Sequence, residues 1–358
     1  MAQTCGYAAP GGERCPHPIY ESPPSPRTVK AKDYCIFHAP LAAKEGDDAF
    51  NDAFTGLYRR AEEEFARAKT DEARKKITLV CEGFIFPPGF KFFVGRDVLF
   101  NVNLSFATFG GDADFSQAKF RGAVYFRYAV FRCDANFRRA EFGGAAYFTG
   151  AEFGGNAAFE DAKFGGAAGF TDAKFGSDAY FSEAKFGGDA AFRNTDFRGP
   201  ADFTDVQFAG AAHFSRAEFR GAAEFRGAAR FSGAEFGGDA DFGEAKFSGD
   251  ADFADAKFGG DAAFGRAVFG VAGFSDAKFG GDAYFSEAKF GGAAYFTGAE
   301  FGGNTVFSTA EFGGAAYFSW AKFRGPAAFQ NTNFRGVPDF DHAVFGDAPD
   351  FGGATFTG

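Results

Sequence analysis

Five residues near the N-terminus have the types and spacing of a metal site. Cys5, Cys15, Cys35 and His38 form a C-x9-C-x19-C-x2-H arrangement, and His17 is an alternative to His38. Zinc takes four thiolate or imidazole ligands in a tetrahedron, and a closed Cys3His set is a structural site rather than a catalytic one. The surrounding residues include the Pro-rich run Glu21–Arg27, and a short segment rich in Pro and Gly has little core of its own, so a metal staple is useful there. The expected cofactor is therefore a structural Zn2+ held by Cys5, Cys15, Cys35 and His38, within a module spanning residues 1–45. Elsewhere, candidate nucleophiles and bases are isolated: Cys133, His213 and His342 lie far apart, the two histidines are expected at the surface, and no catalytic constellation is expected. The recurring Gly-Gly pairs never precede a helical pattern, so they read as turns and not as a phosphate loop.

The elements that must position these residues follow from one number. Of 57 Phe in 358 residues, 46 lie from Phe109 onward, in a single register whose steps alternate six and five residues. Ala usually stands two before each Phe. In an extended segment residues i and i−2 share a face, so Phe and Ala point inward and the residue between them points to solvent. Five residues are too few for a helix with a buried stripe, and Gly at this frequency opposes helix. Short strands joined by turns and coiled into a solenoid fit. The sixth residue of the longer steps follows Gly-Gly, as Asp112, Asp134, Asn156 and Asp178 do, so every second turn is enlarged.

Charge sets the size of a coil. At a separation of 22 residues Lys119 meets Glu141 and then Lys163, Glu152 meets Lys174, Lys278 meets Glu300 and then Lys322, and Lys289 meets Glu311. At 11 residues Glu141 would face Glu152, and Lys163 would face Lys174. In-register opposite charges stabilise and like charges oppose, so four faces and 22 residues per coil are expected, with about 12 coils at roughly 4.8 Å per strand. Two irregularities interrupt the steps. Phe219, Phe225 and Phe231 are separated by two six-residue steps, which predicts that the enlarged turn changes faces. Phe269, Phe274 and Phe279 are separated by two five-residue steps, which removes one residue without such a change.

This pattern resembles the pentapeptide-repeat family, whose central large residue corresponds to the Phe positions and whose small residue two before corresponds to Ala118, Ala140 and Ala162. The resemblance implies a mostly β fold, a right-handed quadrilateral β-helix over residues 79–358, regular from about 98. The Cys35-Ile36-Phe37-His38 segment is similar to small zinc-binding modules found ahead of pentapeptide repeats in bacterial proteins. Between the two, residues 46–78 read as an amphipathic cap: Phe50, Phe54, Leu57, Tyr58, Ala61, Phe65 and Ala68 make one stripe of a helix over residues 47–76 that covers the first coil.

Function is then a matter of surface. The formal charge of −10 lies wholly beyond residue 78, because residues 1–78 carry 12 basic and 12 acidic side chains. An acidic rod is not expected to bind nucleic acid through phosphates. No run of 18 apolar residues predicts a membrane span, and the first residues lack a secretory pattern, so a cytoplasmic protein is expected. The reading is a non-enzymatic scaffold whose faces bind proteins. A second reading, drawn from the resemblance, is a DNA mimic that binds a type II topoisomerase and inhibits gyrase or protects it from quinolones. The line Asp112, Asp134, Asn156, Asp178, with Asp239 and Asp261 repeating its spacing, supports it. The stretch Arg193, Arg198, Arg216, Arg220, Arg226 and Arg230 opposes it. The resemblance also implies a homodimer through the C-terminal coils.

Overall fold

The computed structural model describes residues 37–38, 49–220 and 229–357. From Thr78 onward the chain is a four-sided parallel β-solenoid, and each side is a ladder of two- or three-residue strands. The first face begins with Thr78–Val80 and has 12 strands. The second begins with Ile85–Phe86 and has 13, the third with Ala113–Asp114 and has 10, and the fourth with Asp97–Val98 and has 12. One coil visits them in turn, as Asn101–Asn103, Thr108–Phe109, Ala113–Asp114 and Lys119–Phe120 do.

The expected register holds. Glu141 pairs with Lys119 on one side and Lys163 on the other, and Lys278, Glu300 and Lys322 run in sequence along the fourth face. On the second face Glu152 pairs with Lys174 and Lys289 with Glu311. Ammonium–carboxylate distances of 2.8 Å for Lys174–Glu152 and 2.9 Å for Lys322–Glu300 close two of these pairs.

Inside, side chains of one type meet at one height. Phe137, Phe159 and Phe181 stack at 4.7 and 4.8 Å with interplanar angles of 3° and 2°. Across the rod, rings of the first and third faces meet edge to face, as Phe148 and Phe159 do at 5.4 Å and 88°. Ala at the small position leaves room for these rings, and both residue types are almost completely buried. Each fully buried Phe contributes roughly 1.5–3 kcal/mol through removal of apolar surface from water.

The corners differ in kind. After each first- or third-face Phe the chain turns through a residue in the left-handed region, such as Gln117 (φ 56°), Asp161 (φ 59°) or Thr309 (φ 58°), once every coil on each corner. The sequence pattern does not single out this position, because Gly occupies it only at places such as Gly150 and Gly298. The enlarged turns lead into the first and third faces. There a side-chain oxygen replaces part of the strand ladder: Asp134 Oδ1 accepts the Asn156 N–H at 2.8 Å.

The two irregularities resolve differently. Ala251 pairs with Ala272 and Lys257 with Lys278, so this coil has lost one residue and every strand keeps its face, as expected. At the first irregularity the expectation fails. Ala201 pairs with Ala229, Gln207 with Glu235, and Ala212 with Ala240, a separation of 28 residues each time. Phe231 stacks on Phe203 at 4.9 Å and on Phe253 at 4.7 Å, so Phe225 is not a rung between them. Enlarged turns therefore stay on the same faces before and after it. A six-residue unit has been added to one coil, and the alternation of steps resumes around it.

At the N-terminal end α1 (Ala49–Arg67) lies on the first coil, followed by the short α2 (Asp71–Arg74). A single helix over residues 47–76 is not formed. Thr70 is extended and its side chain accepts the Ala73 N–H at 3.2 Å, so it starts a new helix instead of continuing the old one. The buried stripe is Phe50, Phe54, Tyr58 and Ala61, with Leu57 and Phe65 half-buried. Phe54 meets Phe86, Phe90, Phe92 and Phe93 edge to face at 4.9–5.9 Å. Burial of the Tyr58 phenol pushes its pKa up to about 12.

Candidate functional site

Of the expected zinc ligands, Cys5, Cys15 and Cys35, together with His17, lie outside the described residues. His38 is described. It is 5% exposed, lies edge-on to Phe84 at 5.3 Å, and its Nε2 is 3.1 Å from the Glu82 carbonyl oxygen. A carbonyl only accepts, so Nε2 carries the proton and the lone pair of the neutral ring is on Nδ1. Metal-bound histidines commonly hold their second nitrogen on a backbone carbonyl in this way. Among the described residues no group of three or more His, Cys, Asp or Glu is placed to hold a metal ion.

Phe37 adds what the sequence does not announce. Its carbonyl accepts the Ile85 N–H at 2.6 Å, in the same relation as Phe84 to Thr108 at 2.8 Å and Ala107 to Val130 at 2.8 Å. Its ring stacks on Phe84 at 4.3 Å and 2°. The residues beside Cys35 thus continue the second-face ladder one rung beyond the first coil. An isolated Phe in a segment without periodicity carries no signal for this.

The isolated candidates stay apart. Cys81 is buried, which pushes its thiol pKa far up, and Cys133 is exposed. His213, expected at the surface, is half-buried: it occupies the outward position of a first-face strand, between Ala212 and Phe214, and its Nδ1 is covered without a hydrogen-bond partner. His342 is exposed and stacks on Trp320 at 4.2 Å.

The carboxylates form two columns and not one. Asp112, Asp134, Asn156 and Asp178 precede third-face strands, whereas Asp239, Asp261, Asp282 and Asn304 precede first-face strands. Within each column one side-chain oxygen accepts the next residue's backbone N–H, at 3.0 Å for Asp261 on Asp239, 2.9 Å for Asp282 on Asp261 and 2.7 Å for Asn304 on Asp282. Hydrogen bonds from the Asn304 side chain and backbone, and from Tyr284, hold the Asp282 carboxyl below the usual carboxylate range. These side chains therefore also build the corners.

The arginine stretch is largely neutralised by partners. Arg198 and Arg220 both reach Asp196, at 3.0 and 3.2 Å, Arg220 also contacts Glu218, and Arg216 pairs with Glu244 at 2.9 Å. Arg226 lies outside the described residues. Surface relief is slight. A groove of about 840 Å³ runs along the corner between the third and fourth faces, with Arg139, Asp161 and Glu183 on one wall and Glu141, Lys163 and Lys185 on the other. No helix among the described residues is long and apolar enough to cross a membrane.

The family model for pentapeptide repeats (9 copies) matches residues 104–152, 148–196, 181–229, 231–278, 274–319 and 321–358. No curated protein and no solved structure matches the chain. The matched segments take in well over half of the chain and all the coils in which Phe stacks on Phe every 22 residues, and so the chain belongs to the pentapeptide-repeat family.

Proposed function

We propose that this protein is a non-enzymatic interaction rod that holds partner proteins on its faces, with a structural zinc module at its N-terminus. The observation that carries the reading is the complete occupation of the interior by Phe and Ala, which leaves recognition to flat, charged ladders on the outside. Substrate sites are ordinarily concave and mostly apolar, and the groove along Lys163 and Lys185 is neither deep nor apolar. The fourth face, with Lys119, Lys163, Lys185, Lys257, Lys278 and Lys322 against Glu141, Glu235 and Glu300, is the most basic strip of an acidic chain. In the zinc module Cys5, Cys15, Cys35 and His38 are the ligand set, His38 through Nδ1. Bound zinc would cross-link a segment that has little core, next to the rung made by Phe37.

Two experiments test this. Elemental analysis of the purified chain should find one zinc, lost in Cys35→Ser. Cross-linking mass spectrometry of captured partners should place them on one face, and Lys185→Glu with Lys278→Glu should release a partner held by the fourth face. Partners insensitive to charge reversal on every face would remove the scaffold reading.

The second reading, a DNA mimic for a type II topoisomerase, is favoured by the outward carboxylate columns on the first and third faces. Against it stand the basic fourth face and the use of one oxygen of several carboxylates inside the corners. A gyrase supercoiling assay without inhibition or quinolone protection removes it. Self-association through the C-terminal coils, where Val337, Val344 and Phe356 are 81%, 60% and 53% exposed, is proposed on those side chains. Light scattering that reports a monomer at high micromolar concentration would overturn that proposal.

A further inference from the structure

The 28-residue coil contains a choice. Arg220-Gly221-Ala222-Ala223-Glu224-Phe225 and Arg226-Gly227-Ala228-Ala229-Arg230-Phe231 are two consecutive six-residue units, identical except for Glu224 and Arg230. Each has Ala two before Phe, and each could supply the third-face strand of this coil. The left-handed corner that follows does not discriminate between them. In the observed register Gly233, two after Phe231, takes that corner with φ 67°, and Gly227 stands in the same relation to Phe225. Ring stacking does not discriminate either, since both units end in Phe.

What differs is the outward residue. In the structure Ala229–Arg230 pairs with Ala201–Asp202 on one side and with Ala251–Asp252 on the other. Arg230 therefore lies in register between two carboxylates, each roughly one strand spacing, about 4.8 Å, away. The first unit in that slot would put Glu224 there, making three consecutive carboxylates in one column. Opposite charges in register stabilise a ladder and like charges destabilise it.

We propose that this coil has two equivalent registers and that charge in the third-face column decides between them, Arg230 between Asp202 and Asp252 selecting the second unit. The family match begins afresh at residue 231, just beyond this point, as a duplicated unit would make it do. In the other register the six surplus residues would follow the third-face strand instead of preceding it. They would then lie at the corner with the fourth face, beside Glu235 and Lys257. The solenoid thus contains an element whose surplus unit a change of charge can carry from one corner to the next without altering any other coil.

Amide hydrogen exchange on the full chain tests this. In the wild type Ala229 and Phe231 donate to Asp250 and Asp252 at 2.9 and 2.6 Å, and both should be protected. In the charge exchange Glu224→Arg with Arg230→Glu, protection should move to Ala223 and Phe225, falling by roughly an order of magnitude at Ala229 and Phe231. Protection that stays at Ala229 and Phe231 overturns the proposal. Asp202→Asn with Asp252→Asn keeps both units intact and removes the bias. Protection should then be divided between the two sites, and confinement to Ala229 and Phe231 would show that charge is not the selector.

Discussion

Phe is used in two ways in this molecule, at the N-terminal cap and along the rod. In the rod each ring repeats the position of the ring one coil away, so Phe159 is stacked between Phe137 and Phe181 and flanked edge-on by Phe148 and Phe170. In the cap, Phe50, Phe54 and Tyr58 come from a helix with its own 3.6-residue period and meet the first coil at steep angles, 75° for Phe50 on Phe86 and 66° for Tyr58 on Phe92. A helix cannot continue a 4.8 Å stack, since its stripe advances about 5.4 Å per turn. It closes the column by edge contacts instead. The rod propagates packing from coil to coil, whereas the cap ends it.

The largest test of this contrast is Phe159→Ala. It removes a ring from the middle of a column, and unfolding should show a loss of about 3–5 kcal/mol, the usual cost of a buried Phe with its cavity. Phe54→Ala empties an equally buried site. Because a solenoid is coupled mainly to its nearest neighbours, its effect should be local: faster amide exchange from Thr78 to Phe109, with little change beyond Phe153. A global drop in melting temperature as large as that of Phe159→Ala would show that cap and rod are one cooperative unit.

Smaller effects belong to the outer ladders of the rod, which the cap lacks. Glu300→Lys sets three ammonium groups in register with Lys278 and Lys322 and should cost about 0.5–1 kcal/mol, relieved by salt. Lys322 and its hydrogen bond hold the Glu300 carboxyl below its ordinary value of 4.5, as Arg220 and Lys246 do for Glu218. A carboxyl lowered on folding contributes stability that is present above its unfolded pKa and lost as the pH falls through the folded one. Acid titration should therefore weaken the wild type below about pH 4.5, and Glu300→Lys should show less of this loss. The smallest effect is at the corners. Thr309 has φ 58°, and Thr309→Gly relieves left-handed strain while loosening the unfolded chain, for a net gain of about 1 kcal/mol or less in thermal melts. Destabilisation there would mean that the Thr309 side chain packs more than its backbone strains.

Much of the rod was legible because its grammar is local. Ala two before Phe marks the inward positions, and the alternation of Lys119, Glu141 and Lys163 selects 22 residues per coil over 11. The cap helix was legible in its stripe but not in its break, since Thr70 reads as an ordinary polar residue until it accepts the Ala73 N–H. The candidate site was less legible. Nothing in Phe37 marks it as a ladder rung, and the spacing of Asp239 and Asp261 equals that of Asp112 and Asp134 although the two pairs stand on different faces.

The sequence by itself determined the period, the inward and outward residues and the four-faced coil, because each follows from side chains a few residues apart or from one charge register repeated many times. Only the tertiary structure decided which of two nearly identical units carries the strand after Phe219, which face each carboxylate column occupies, and that Phe37 adds a rung to the second face. Those outcomes depend on what lies one coil above and below. Arg230 has meaning only between Asp202 and Asp252, and neither residue is near it in the chain.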